Sequence, residues 1–280
     1  MASGSLIALW GANGSPGKSS VALSVASELA LAGHRVFLLD ADNVSPSLSL
    51  MLGLTDHPAG VAAACRLAAQ GRFDLTQLER LSVTLSTGRG EVVLMTGVSD
   101  CERWPELSPE RVDVILQVAR AAFDYLVIDL ASFLENGLRP SLGGPDRSEL
   151  TRDILARADQ VILVCAADPI GVHRFLLALQ GVRQISITGE VITVVNRLRK
   201  TVLGAGAKQQ LAETLSRLAQ LQVSAFIPDD PTTADLALRN SLPIAMGKRG
   251  SPAKQAIALF VRAHLLKTRS RLDARLAKLD

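Results

Sequence analysis

The sequence predicts an α/β fold: a single doubly wound, mostly parallel sheet with helices on both faces. Short runs rich in Val, Ile and Leu alternate along the chain with longer segments whose apolar residues recur every three or four positions. Several of the short runs are almost continuously apolar, which is typical of strands buried on both faces. The chain has 280 residues, 48% of them hydrophobic, which is enough for one large α/β domain.

The element order follows from these patterns. Strands are predicted at residues 6–10, 35–40, 92–95, 125–129, 160–165, 191–196 and 224–227. Helices are predicted at residues 18–32, 109–121, 147–156, 172–180, 207–221, 232–239 and 252–266, with two shorter ones at 60–70 and 75–81. Residues 134–145, rich in Gly and Pro, are typical of a surface loop. No repeat or long linker is visible, so we expect one domain at residues 1–266 and a basic helical tail at 267–280.

Composition argues against several classes of protein. No apolar run approaches the length of about 20 residues that a membrane-spanning helix needs. The first residues lead into a strand without a basic leader, so we expect a cytoplasmic protein, able to lie at the inner face of the membrane. The three cysteines and four histidines are scattered, which argues against a disulfide framework and against a His- or Cys-based metal site.

Positive charge is concentrated towards the C-terminus. The net charge is +3, but residues 191–280 carry 15 Lys and Arg against 6 Asp and Glu. This basic C-terminal third could contact DNA non-specifically or an anionic membrane surface, and the tail could form a basic amphipathic helix. An ordinary solvated helical surface is the alternative in both cases. The candidate DNA contacts are Arg197, Arg199, Lys200, Lys248 and Arg249.

A glycine-rich segment between the first strand and the first helix predicts a phosphate-binding loop (P-loop) and hence a P-loop NTPase fold. Glycines let successive backbone N–H groups point at phosphate oxygens, and the following helix adds its positive N-terminal end. We expect Lys18 to reach the β- and γ-phosphates and the Ser19 hydroxyl to bind Mg²⁺. A chance glycine-rich turn is the alternative. The candidate nucleotide-binding residues are Gly11, Asn13, Gly14, Ser15, Pro16, Gly17, Lys18, Ser19 and Ser20.

Acidic residues follow two other predicted strands. Asp40 and Asp42 end the second strand, and Asp129 ends the strand at 125–129. The carboxyl ends of parallel strands meet at one edge of the sheet, where ligands of open α/β sheets bind. Mg²⁺ prefers carboxylates and water around substrate phosphates. We therefore expect Ser19, Asp40 and Asp129 at the metal, with ATP and Mg²⁺ as cofactors.

These motifs resemble the ParA/MinD group of P-loop ATPases, which have a deviant Walker A loop. Residues 13–19 align with that group's Lys-Gly-Gly-x-Gly-Lys-Ser/Thr, 35–42 with its second strand and switch I, and 123–129 with its Walker B strand. The segment 194–197, Val-Val-Asn-Arg, matches the one whose Asn contacts adenine, and 226–230 resembles the loop that closes over the base.

The resemblance implies roles for individual residues. Asn196, Arg197, Pro228 and Asp229 would surround the base. Asp42 takes the place of the group's water-positioning acid, so the expected catalytic residues are Lys18, Asp42 and Asp129. The resemblance further implies a homodimer that forms with ATP.

The cellular role is also taken from the resemblance. Residues 92–129 are most similar to the pilus-assembly branch of the group (CpaE/TadZ-like), which implies a switch that positions a pilus or secretion machine through partner proteins. Three alternatives remain open. They are a DNA-segregation ATPase, a MinD-like membrane-positioning protein that uses the tail, and a nucleotide-gated scaffold that does not hydrolyse ATP.

The sequence departs from the group's pattern at two points. The signature Lys, which in the group reaches across the dimer to the partner's phosphates, is Asn13 here. An amide cannot place a positive charge there, so charge stabilisation in the transition state is weakened. After Asp129 the chain reads Leu130-Ala131-Ser132, where the group usually has a hydroxyl residue and prolines. We therefore expect nucleotide binding to survive and hydrolysis to be slow, partner-dependent or absent.

Overall fold

A computed structural model describes residues 4–14, 16–54, 60–134 and 146–266. Within these residues, one sheet of eight strands has the order β3-β4-β2-β5-β1-β6-β7-β8. All neighbouring strands are parallel except β3 with β4. The strands are β1 (Ser5–Gly11), β2 (Arg35–Ala41), β3 (Val83–Ser86), β4 (Glu91–Met95), β5 (Tyr125–Leu130), β6 (Gln160–Ala166), β7 (Glu190–Leu198) and β8 (Val223–Pro228).

Helices cover both faces of this sheet, which confirms the predicted fold class. The α-helices found in the described residues are α1 (Lys18–Leu31), α2 (Leu48–Met51), α3 (Gly60–Ala69), α4 (Leu75–Arg80), α5 (Pro109–Ala122), α6 (Glu149–Arg157), α7 (Pro169–Val182), α8 (Lys200–Leu203), α9 (Ala207–Ala219), α10 (Pro231–Arg239) and α11 (Pro252–His264). Short 3₁₀ helices occupy Cys101–Glu106 and Ile244–Met246.

The alternation of side chains along the strands separates two apolar layers. In β1, Trp10 packs in the layer that includes Phe175 of α7, whereas Leu9 packs in the layer that includes Leu23 of α1 and Phe260 of α11. Strand β1 is buried along its whole length, as expected for a central strand covered by helices on both sides.

Several local features differ from the sequence-based prediction. Strand β3 was missed because Val-Thr-Leu-Ser is a short edge strand that is only partly buried. The short helix α2 and the 3₁₀ helix at Cys101–Glu106 were also missed. Helix α7 begins three residues before its predicted start because the Asp168 side chain accepts a hydrogen bond from Gly171 N at 2.9 Å, capping the helix. The tail at 267–280 and residues 135–145 of the expected loop lie outside the described residues.

The topology brings the predicted site residues to one edge. Strands β2 and β5 lie on one side of β1, and β6 lies on its other side, so β1 pairs with both β5 and β6. The order of the strands therefore reverses at β1. Ligands of open α/β sheets bind at such a switch point, outside the carboxyl ends of the strands. Gly11, Asp40, Asp129 and Asn196 all lie at or near these ends.

Candidate functional site

The glycines after β1 are required by tight packing and by backbone conformation. A Cβ on Gly11 would lie 2.7 Å from the carbonyl oxygen of Val164 in the neighbouring strand β6. Gly14 and Gly17 have φ values of +110° and +79°, which disfavour any L side chain. Gly11 therefore lets the chain lie close against β6, and Gly14 and Gly17 let the backbone adopt the positive φ values of the loop. Ser15, predicted to belong to it, lies outside the described residues.

Helix α1 begins directly at the end of this loop with its N-terminus unneutralised. No side chain caps it, and no acidic residue lies in its first turn. The free N–H groups and the helix dipole therefore place partial positive charge at Lys18 and Ser19. An anion such as a phosphate group satisfies this arrangement, which is the first sign that the site fits a nucleotide.

Lys18 is buried against two carboxylates. Its Nζ lies 2.5 Å from Asp129 Oδ1 and 3.3 Å from Asp42 Oδ2. Burial alone would lower the pKa of Lys18, but the charges of Asp129 and Asp42 outweigh burial and raise the pKa above its ordinary value. The two carboxylates therefore favour the charged form of Lys18.

Asp129 has one oxygen with a charged partner and one without. It is fully buried, and its Oδ2 has no hydrogen-bond partner among the described residues. Burial raises the pKa of Asp129, while Lys18 and the Ser19 hydroxyl act in the opposite direction. A buried, unsatisfied carboxylate oxygen beside a serine hydroxyl suits a hydrated divalent cation.

The predicted Mg²⁺ would bind together with the nucleotide and not to the protein alone. Among the described residues no group of three or more His, Cys, Asp or Glu side chains is arranged to hold a metal ion. Mg²⁺ commonly uses only one or two protein ligands and takes the others from phosphates and water. The residues present therefore fit Mg²⁺ bound together with a nucleotide, and Ser19 and Asp129 are the side chains placed to hold it.

Asp40, the third predicted metal ligand, is engaged by backbone groups. Its Oδ2 accepts hydrogen bonds from Ser47 N at 3.1 Å and Leu48 N at 3.0 Å, and its Oδ1 accepts one from Asp42 N at 3.3 Å. Burial and the neighbouring charge of Asp129 raise the pKa of Asp40 to about 7. This geometry gives Asp40 a role in shaping the segment after β2, and its contact with a metal stays a prediction.

Asp42 organises the same segment from the other side. Its Oδ1 accepts hydrogen bonds from Val44 N at 3.0 Å and Ser45 N at 2.9 Å, while Oδ2 faces Lys18. The carboxylate therefore sits at the wall of the loop cavity with a fixed orientation, as required of a group that positions a water molecule.

Asn196 holds the phosphate loop from β7. Its Nδ2 donates a hydrogen bond of 2.7 Å to the carbonyl oxygen of Pro16, and a Cβ on Gly17 would lie 2.5 Å from the same nitrogen. The next residue, Arg197, has a φ of +58°, a left-handed conformation that is uncommon for a non-glycine residue. Asn196 thus ties the end of β7 to the loop.

Two adjoining cavities meet at Gly17, Ser20 and Arg197. The larger has a volume of about 460 Å³ and is lined by the loop, Asp42, Ser45, Ser47, Met51 and Ser132. The smaller, of about 70 Å³, is lined mainly by Asn196, Ile227, Pro228, Asp229, Ala234, Ile244 and Ile257. The cavity at the loop is the more polar of the two, and its neighbour is the more apolar.

The structure brings together residues that the sequence analysis did not connect. Asn43 Nδ2 donates to the Arg147 carbonyl oxygen at 2.9 Å, and an Arg147 Nη2–H donates to the Asn43 carbonyl oxygen at 2.7 Å. The Arg147 guanidinium also lies 5.7 Å from the ring centre of Trp104. No sequence motif marks these contacts, because Asn43 and Arg147 are 104 residues apart.

The basic residues considered for DNA contact are partly described. The side chains of Arg197, Arg199, Lys248 and Arg249 are exposed, and Arg199 Nε lies 4.0 Å from Asp229 Oδ2. Of these, Arg197 also lines both cavities. Because these side chains are exposed, DNA could reach them, and DNA contact stays a prediction.

A comparison with known protein families agrees with this geometry. Residues 7–244 match the model of the CobQ/CobB/MinD/ParA nucleotide-binding domain, which spans every element from β1 to the region after α10. The chain belongs to this family. The phosphate loop, Asp42, Asp129 and Asn196 all lie within the matched residues.

Individual relatives support the same assignment at the level of fold. The chain is 23% identical to the septum site-determining protein MinD of Bacillus subtilis over 257 residues, which cover 91% of this chain and 88% of that protein. Among solved structures, a ParA family ATPase from Chlorobium tepidum has a TM-score of 0.75 at 17% identity, covering 95% of this chain and 100% of that one. MinD from Pyrococcus horikoshii, solved with Mg-ADP, has a TM-score of 0.67 at 18% identity, covering 93% and 96% of the two chains.

The described part of this MinD/ParA-family chain contains no helix that is both long and apolar enough to cross a membrane.

Proposed function

We propose that this MinD/ParA-family protein is an ATP-binding switch that dimerises with Mg-ATP and positions a cellular machine. The observation that carries the proposal is the placement of Lys18. The Lys18 ammonium, the uncapped N-terminus of α1 and the glycine loop border one cavity, with an unsatisfied oxygen of Asp129 beside them. The Mg-ADP complex of the Pyrococcus horikoshii MinD supports a nucleotide at this place.

Each residue then has a distinct task. Lys18 would exchange its carboxylate partners for the β- and γ-phosphates, and the backbone of Gly14 and Gly17 would surround the phosphate oxygens. Mg²⁺, held by Ser19 and by Asp129 through water, would neutralise phosphate charge when bound. Asn196, Arg197, Pro228 and Asp229 would form the base end of the site.

Hydrolysis in this proposal depends on Asp42. Its carboxylate lies beside Lys18 at the cavity wall and would orient the attacking water. The residue expected to slow hydrolysis is Asn13, an exposed neutral side chain at the place where the ParA/MinD group has its signature Lys. We therefore expect slow turnover by the isolated protein, accelerated by a partner.

The finer assignment places this protein in the pilus-assembly, CpaE/TadZ-like branch. The support is the resemblance of residues 92–129, and the partners would be proteins of a pilus, secretion or positioning system. Within this stretch, Trp104 lies beside the Arg147 guanidinium, and Arg147 donates a hydrogen bond to the carbonyl oxygen of Asn43, which follows Asp42. A movement of the segment carrying Asp42 would thus also move Arg147 and alter the surface around Trp104.

A scaffold that binds ATP without hydrolysing it is the second candidate, and Asn13 is the observation that favours it. One experiment separates the two. Steady-state ATP turnover is measured at several protein concentrations for the wild type and for Lys18→Ala. A rate that rises faster than linearly with concentration, and is lost in Lys18→Ala, supports a dimerising ATPase.

The other outcomes of that experiment are equally informative. Saturable ATP binding without turnover supports the scaffold. Turnover that is strictly proportional to protein concentration contradicts the dimerising switch. Turnover that persists in Lys18→Ala contradicts the proposed site.

A further inference from the structure

An arginine outside every predicted motif lies against the phosphate loop. Arg174 is on α7, and its guanidinium packs on Gly14 so closely that a Cβ on that glycine would overlap Nη1 and lie 3.4 Å from Cζ. Gly14 adopts a φ of +110°, so both its backbone and its missing side chain are needed for this contact. The loop is therefore bare where the guanidinium meets it.

The packing of α7 explains how Arg174 reaches this position. A Cβ on Gly171 would lie 2.6 Å from the Cβ of Ala166 at the end of β6, so the first turn of the helix sits directly on the strand end. Arg174 follows one turn later, on the side of the helix that faces the loop, while Val172 and Phe175 are buried. The close helix–strand contact thus carries the arginine to the loop tip.

Arg174 has no charge partner in the part of the chain that the structure describes. Its side chain is exposed, and it forms no ion pair or hydrogen bond with those residues. Lys18, by contrast, is already paired with Asp129 and Asp42. An unpaired guanidinium against a phosphate loop, beside a cation that two carboxylates already neutralise, is a feature that points to a further anion.

We propose that Arg174 is a phosphate-binding residue that contacts the terminal phosphate of a nucleoside triphosphate held in the same loop. The inference rests on the proposed function. Asn13 and Gly14 line the cavity of about 460 Å³, and the Arg174 guanidinium packs on Gly14. In this proposal, rotation of the exposed arginine side chain would bring the guanidinium from Gly14 to the cavity. Arginine is suited to this task because its planar fork of N–H donors matches phosphate oxygens.

The proposal predicts a loss of affinity that is larger for ATP than for ADP. Equilibrium binding of both nucleotides with Mg²⁺ is measured by titration calorimetry for the wild type, Arg174→Gln and Arg174→Lys. We expect Arg174→Gln to bind ATP about tenfold or more weakly, with a smaller change for ADP, and Arg174→Lys to lie between. The difference should shrink at high salt, since the lost contact is ionic.

A matched control uses an arginine remote from the loop. Arg217 of α9 is also exposed, and we expect Arg217→Gln to leave both affinities unchanged. If Arg174→Gln binds ATP and ADP like the wild type, or weakens both equally, Arg174 does not bind the terminal phosphate, while the proposed function stands. If the wild type itself does not bind ATP, the proposed function fails, and this inference fails with it.

Discussion

The ammonium of Lys18 lies 2.5 Å from the carboxylate of Asp129, and both side chains are almost completely buried. This ion pair joins the start of α1, which follows β1, to the end of the neighbouring strand β5. A buried ion pair is costly to break by removing one partner, because the remaining charge is left without compensation. In the proposed function, phosphate and metal would have to open the same pair, so stability and nucleotide binding would be coupled through it.

The first prediction concerns this coupling. Lys18→Ala should lower the free energy of unfolding by about 3–5 kcal/mol, because Asp129 is left buried and uncompensated. The double variant Lys18→Ala/Asp129→Asn should recover part of this loss without recovering ATP binding. Urea unfolding of the three proteins measures the effect. A double variant no more stable than Lys18→Ala would show that this ion pair does not couple stability to nucleotide binding.

The second prediction separates close packing from backbone strain. Gly17 and Gly33 both have positive φ values, +79° and +97°, but only at Gly17 would a Cβ meet Asn196, whereas nothing lies within 4 Å of it at Gly33. Both alanine variants should be destabilised by about 1–2 kcal/mol through backbone strain. Gly17→Ala should in addition disturb the Asn196–Pro16 hydrogen bond and reduce ATP affinity at least tenfold.

The comparison is made by urea unfolding and by ATP titration of the two variants. If Gly17→Ala binds ATP as well as Gly33→Ala does, then the contact of Asn196 with the loop is unimportant for the site.

The third prediction addresses Asn13. Restoring a cation with Asn13→Lys should raise the ATP turnover rate, since a positive charge near the phosphates stabilises the transition state. The increase should depend on protein concentration if the new Lys acts across a dimer. Asn240→Lys, an equal charge change at an exposed site on another part of the surface, serves as the control. An unchanged rate for Asn13→Lys over a dimerising concentration range would refute this explanation of slow turnover.

How much of this site the sequence could predict depends on how local each signal is. The phosphate loop and the acids at the ends of β2 and β5 follow from short motifs between apolar runs, and the topology places them together as expected. Strand β3 could not be predicted, because its residues alternate between partly buried and exposed over only four positions, too short a run for the alternation to be recognised. The contacts of Arg174 with Gly14 and of Arg147 with Asn43 depend on how helices and loops far apart in sequence pack, which no local pattern records.

The fourth prediction tests the second of these contacts. Arg147→Ala removes the hydrogen bond to the Asn43 carbonyl oxygen and the stacking on Trp104, so the segment carrying Asp42 should open more easily. We expect a loss of about 1–2 kcal/mol, seen as faster hydrogen exchange of the Val44 and Ser45 amides, which donate to Asp42. ATP affinity should fall with it.

The control for this variant is Arg66→Ala, which removes an exposed ion pair with Glu106 near the same 3₁₀ helix. That change should leave the exchange of Val44 and Ser45 unaltered. Equal exchange rates in the wild type and Arg147→Ala would mean that Arg147 does not restrain the segment.

The central claim, that this MinD/ParA-family chain binds Mg-ATP at the loop around Lys18, is tested most directly by titrating ATP into the pure protein with and without Mg²⁺, beside Lys18→Ala. The account predicts saturable binding of one ATP per chain, tighter with Mg²⁺, and at least a hundredfold weaker binding to Lys18→Ala. Absence of binding to the wild type, or equal binding to Lys18→Ala, would contradict it.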